Sequence, residues 1–88
     1  MTVYVDEIAR YPTSIACFKG GSCHMTADTL EELRLIAHLI GLRPEWFQDK
    51  RVPHYDLTPA RRAAALAAGA VFVPAKEQAR RRIALRVA

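Results

Sequence analysis

The most sharply bounded segment of the chain runs from Asp28 to Gly41, and it limits what the rest can be. Asp28 or Thr29 precedes Leu30, and Glu31 or Glu32 follows three residues later, so either choice makes a capping box. Leu30, Leu33, Ile36, Ala37 and Ile40 then recur at helical spacing. Gly41 supplies a residue that closes a helix in the left-handed conformation. One amphipathic helix of this kind needs an apolar partner surface, and the residues before it supply one in β-like form.

Val3 and Val5 alternate with Tyr4 as a short strand, and Asp6 falls at its end. After Tyr11-Pro12-Thr13, Ile15–Phe18 reads as a second strand, Lys19-Gly20-Gly21-Ser22 as a hairpin turn and Cys23–Thr26 as a third. Beyond the helix, Pro44-Glu45-Trp46-Phe47 reads as a helical turn opened by proline. Residues 48–57, polar and interrupted by Pro53, read as a loop. Thr58-Pro59 caps an alanine-rich helix over Ala60–Ala68, which Gly69 stops. Ala70–Val73 is a last strand ended by Pro74, and Lys76–Val87 a final helix with Ala79, Ile83 and Val87 on one face. A strand, intervening helices and another strand imply a right-handed parallel crossover.

The expected fold is therefore one α/β domain over residues 1–88, with about four strands and a basic C-terminal helix over 75–88 as an extension. Eighty-eight residues bury only roughly 60% of the unfolded surface, leaving a thin core and no second domain. No run approaches the roughly 18 apolar residues of a membrane span, and the start lacks the pattern of a signal peptide. A membrane partner is not expected, and a cytoplasmic location is. Cys17 and Cys23 lack zinc-pair spacing and suit reduced, packed thiols.

The constellation with the most chemistry is His24 and Asp28 together with His54-Tyr55-Asp56, with Asp6 as a further oxygen donor. Imidazole and carboxylate suit a divalent ion such as zinc or manganese, and a two-histidine, one-carboxylate set leaves positions open for water. His24, His54 and Asp56 are accordingly the candidate ligands or acid–base groups, with Asp28 and Asp6 supporting. Plainer roles compete at each position. Asp28 suits a helix cap, His24 a cross-strand pair, and Asp56 a hydrogen bond that orients His54 without metal. His38, among apolar neighbours in the helix, reads as structural. Trp46, Gln48, Tyr55, Arg61 and Arg62 are the candidates for contacting substrate; Trp46 reads first as core, and otherwise as a pocket wall. Gly20-Gly21-Ser22 lacks the spacing of a P-loop and reads as a turn. These residues point to a metal-dependent hydrolase acting on a phosphate-containing substrate.

Charge supports a rival reading. Residues 1–56 carry six Lys/Arg against eight Asp/Glu, a net −2, whereas residues 57–88 carry seven against one, a net +6. Arg61, Arg62, Arg80, Arg81, Arg82 and Arg86 fit a non-catalytic module that binds a nucleotide or nucleic acid. The Ala79, Ile83, Val87 stripe fits a second copy in a homodimer, and scattered histidines would favour a protein-interaction adaptor.

Met1–Asp6, Cys23–Thr29 with Glu31-Glu32-Leu33, Trp46-Phe47-Gln48, His54-Tyr55-Asp56 and Gly69-Ala70-Val71 together resemble a known family. It is the domain-of-unknown-function family 4031 of small bacterial and phage proteins. The likeness covers most of residues 1–74, with the arginine-rich segment after Pro74 read as lying outside the family pattern. It implies the family's fold and carries no activity with it.

If the arginines grip nucleic acid, the log–log salt dependence of duplex DNA binding should have a slope of about −0.9 per phosphate contact. Replacing Arg80, Arg81 and Arg82 together should flatten it, and His54→Ala should not. No gel shift at low salt with duplex DNA, single-stranded DNA or RNA would remove nucleic acid as a partner.

Overall fold

The structure is a computed structural model that describes residues 2–9 and 20–78. Within these residues the chain forms β1 (Val3–Val5), β2 (Cys23–Ala27), α1 (Leu30–Leu39), a 3-10 turn (Pro44–Trp46), β3 (Tyr55–Leu57), α2 (Pro59–Ala67) and β4 (Val71–Phe72). Residues 75–78 turn helical after Pro74. The four strands make one mixed sheet in the order β3-β2-β1-β4. β2 runs antiparallel to both neighbours, while β1 and β4 are parallel, as the crossover required. This is an α/β fold.

Strand alternation divides the residues between two faces. Register pairs Val5 with Met25, Met25 with Tyr55, and Cys23 with Leu57, so these odd-numbered residues share one face. They join Leu33, Ile36, Ala37 and Ile40 of α1 and Ala65 of α2 in a single buried cluster. Both helices therefore cover the same face. Tyr4, Thr26, His24 and Asp56 lie on the other, where Gln78 accepts a hydrogen bond from Thr26 (3.0 Å).

Both helices end by the same device. At α1, Gly41 (φ +79°) donates to His38 O and Leu42 to Ala37 O; at α2, Gly69 (φ +109°) donates to Leu66 O and Ala70 to Ala65 O. These are Schellman closures, in which the left-handed glycine lets the next residue turn back onto the core. Leu42 and Ala70 are accordingly buried. Arg61 Nη1 donates to Ile40 O, which ties α2 to the carbonyl end of α1.

Three expectations change. Residues 48–57 are not all loop: Gln48 and His54 form a bridge that closes residues 49–53, and Tyr55–Leu57 is a strand. That strand has only three residues with an aspartate in the middle, so its identity rests on pairing with β2 rather than on its own pattern. β2 does not depend on a hairpin across Gly20-Gly21, because β1 and β3 occupy its two sides. The expected strand at Ile15–Phe18 lies outside the described residues, as do Ala79, Ile83, Val87 and the arginines beyond Gln78. Finally, Thr29 and not Asp28 caps α1, its hydroxyl oxygen accepting from Glu32 N at 3.2 Å. Among the described residues, no helix is long and apolar enough to cross a membrane.

The two faces of α1 give a direct test. Leu33 is buried and Leu35 is 62% exposed. Leu33→Ala should lower the unfolding free energy by about 2–5 kcal/mol in a urea titration, and Leu35→Ala by no more than about 0.5 kcal/mol.

Candidate functional site

Three adjacent strands bring the ionisable residues together on the face opposite α1 and α2. His24 pairs with Asp56 across β2 and β3. Asp6, one step beyond β1, continues the β1–β2 ladder opposite His24, donating its N–H to His24 O at 3.3 Å. The row therefore reads Asp56, His24, Asp6. Two residues before Asp56 on its strand, His54 falls on the same face. Its ring meets that of His24 edge to face, with centroids 5.4 Å apart.

Each side chain is held by a partner that dictates its orientation. The Asp6 carboxylate is buried and takes two bonds from one residue: Oδ1 accepts the His24 main-chain N–H (2.6 Å), and Oδ2 accepts from His24 Nδ1 (2.8 Å). His54 Nδ1 donates to the Val52 carbonyl at 2.9 Å. Gln48 Nε2 donates to Asp56 Oδ2. A carbonyl or carboxylate oxygen only accepts, so each Nδ1 carries a proton and each ring turns its Nε2 toward Asp56. Those two Nε2 atoms stand 3.9 Å (His24) and 3.6 Å (His54) from Asp56 Oδ1. One ligand atom from each of the three residues lies within 4.8 Å of the others. Tetrahedral bonds of about 2.0–2.1 Å would place such atoms roughly 3.3 Å apart, so the set would have to contract to hold one ion. The side chains of His24 and Asp56 are 41% and 32% exposed, which leaves water a route in.

The remaining candidates fall elsewhere. Asp28 lies four residues along β2 from His24, about 13 Å away at strand rise, and its carboxylate accepts from Thr2 N and Tyr4 Oη at 2.9 Å each. It fastens the start of β1 to the end of β2 and does not join the cluster. Asp6 braces His24 and is not among the three residues whose ligand atoms lie within 4.8 Å of one another. Tyr55 points into the core, 4% exposed, against Phe47, because odd positions of β3 face the helices. Trp46 is not core: it is 46% exposed, with the Arg43 guanidinium over its ring. Arg61 serves the end of α1, while Arg62 donates from Nε to Asp6 O and lies over Phe72. Gln48 reaches Asp56. The bond that would orient His54 by Asp56 alone is not formed, as the ring's proton goes to Val52. That carbonyl had no signature in the sequence; a main-chain acceptor carries no residue identity. His38 is exposed on α1 and outside the core.

The fold and site define a small mixed-sheet α/β protein with a two-histidine, one-carboxylate cluster on the sheet face opposite α1 and α2. The chain belongs to the family described as "Protein of unknown function (DUF4031)", which it matches over residues 3–85. The match continues past Pro74, so most of the arginine-rich segment lies inside the family pattern rather than outside it. Comparison with curated proteins and with solved structures gives no match.

Cys23, next in chain to His24, projects to the opposite face and is a buried free thiol. Burial, reinforced by the charge of Asp6, pushes its pKa up from 9.0 to about 12. Its neutral form is thus favoured by folding, and this contribution to stability is full below pH 9 and lost as pH rises toward about 12. Iodoacetamide at about pH 8 should spare Cys23 in the native protein and alkylate it in urea, as read by peptide mapping.

Proposed function

We propose that this protein binds a divalent transition ion, with zinc or manganese the leading candidates, through His24 Nε2, His54 Nε2 and an Asp56 oxygen. The observation that carries the reading is the bracing of all three donors. Two imidazole nitrogens and a carboxylate oxygen converge within 4.8 Å of one another, each on a side chain held by a partner of its own. Asp6, the Val52 carbonyl and Gln48 do for these donors what outer-shell partners do at metal centres: they set the tautomer and the direction of each ligand.

Three protein ligands leave coordination positions for water and substrate. A bound ion would supply Lewis acidity and a lower pKa for its water, the basis of hydrolysis near neutral pH. The protein's own part is to hold the donors and to turn the Nε2 atoms of His24 and His54 toward Asp56. The net +6 of residues 57–88 favours an anionic substrate, and a phosphate ester is the class that both features suit. The protein is accordingly read as a metal-dependent hydrolase of a phosphate-containing substrate.

Protein purified without chelator should contain close to one equivalent of zinc or manganese by elemental analysis, and should hydrolyse an activated aryl phosphate ester in a chelator-sensitive way. His24→Ala or His54→Ala should abolish metal retention. Asp6→Asn and Gln48→Leu should weaken metal affinity by roughly 10–100-fold while the protein stays folded. Wild-type protein whose melting temperature and metal content ignore added zinc, manganese and iron(II) would overturn the site; stoichiometric metal with no esterase activity would overturn only the hydrolase reading.

A further inference from the structure

A second concavity lies on the helical side of β3, apart from the metal cluster. It has a volume of about 340 Å³, and Ala37, Leu42, Phe47 and Tyr55 give it an apolar floor, with Arg34 and His38 at its rim. Small-molecule sites run from about 300 to 1,000 Å³, so the space suits a compact ligand. Phe47 and Tyr55 form an aromatic corner, with centroids 5.5 Å apart and planes inclined by 56°. A flat ring fits against such a corner edge to face or offset. Arg34 and His38 stand one turn apart on α1, which puts both side chains on one side of the helix. The Arg34 guanidinium is held 5.5 Å from the Phe47 ring centroid, which orders the cation beside the apolar floor. Among the described residues, no acidic side chain lines the space.

We propose that this concavity is a binding site for a small aromatic carboxylate, its ring against Phe47 and Tyr55 and its carboxylate on the Arg34 fork, with His38 donating a further hydrogen bond. The chemistry is specific in two respects. A planar guanidinium matches the two oxygens of a carboxylate, and the apolar floor rejects an anion that has no ring to bury. A basic ligand would meet Arg34 with like charge. The site is independent of the metal cluster: Tyr55 lies between His54 and Asp56 in the chain, but its side chain is on the opposite face of the strand.

The test compares naphthoate with naphthamide, which keeps the ring and removes the charge, by calorimetry and by NMR on the whole protein. Naphthoate should bind and shift the ring protons of Phe47 and Tyr55. Naphthamide should bind roughly tenfold more weakly or worse, the value of one charge-assisted hydrogen bond. Arg34→Gln, at an exposed position, should erase that difference. Phe47→Leu should weaken both compounds together. Metal content should be the same in Arg34→Gln as in wild type, so loss of this site and loss of the metal site are told apart. Equal affinity for the two compounds, shifts located elsewhere, or no binding of naphthoate at millimolar concentration would each overturn the proposal.

Discussion

The interaction on which the polar face of the sheet depends is the pair of hydrogen bonds from His24 to the Asp6 carboxylate. A buried carboxylate is costly unless its oxygens are bonded, and Asp6 meets that requirement with one main-chain and one ring donor of the same residue. The pair joins β1 to β2 just beyond the last regular register position and fixes the histidine's rotamer and tautomer together. Hydrogen bonds to a charged acceptor contribute about 1.5–3 kcal/mol each, and here the same bonds that hold the strands also turn the His24 Nε2 toward Asp56. Arg62 adds to the hold by donating to the carbonyl of Asp6 from α2.

Support for the site extends into the helical layer. Arg61 and Arg62 are adjacent on α2 and reach in different directions, one to the end of α1 and one to the end of β1. The Schellman closure of α1 brings Leu42 into the core and leads the chain to the Pro44–Trp46 turn, from which Gln48 reaches Asp56. The bridge between Gln48 and His54 then makes residues 49–53 a short closed loop with a metal-ligand candidate at one end and its neighbour's brace at the other. Elements that look peripheral are thus connected to the histidines by a few hydrogen bonds.

The sheet separates two kinds of chemistry by strand parity alone. On β3, Asp56 faces the ionisable cluster while Tyr55 and Leu57 fill the core. On β2, His24 and Thr26 face one way and Cys23 and Met25 the other. Cys23 illustrates the consequence: a thiol beside a histidine in sequence is a common redox or metal arrangement, yet here it is sealed in the apolar layer and its ionisation is suppressed. A one-residue slip of either strand would exchange the faces and expose the core.

Much of the fold was legible locally. The capped start and glycine stop of each helix and the alternation of Val3-Tyr4-Val5 depend on neighbours in the chain, and each is written in nearby residues. The membership of His24, His54 and Asp56 in one cluster was suggested by residue type. What the chain alone left open was which of their companions belong. Asp28 and Asp6 are equivalent as letters, and only strand direction decides that Asp6 lies opposite His24 while Asp28 lies at the far end of β2. Gln48 and Tyr55 looked alike as contacts for a ligand, and pairing with β2 and His54 sent one to the histidine–aspartate cluster and the other to the core. Sequence specifies elements through local periodicity and end signals, whereas a site assembled across strands depends on register, and register is an interaction between distant segments that no single segment contains.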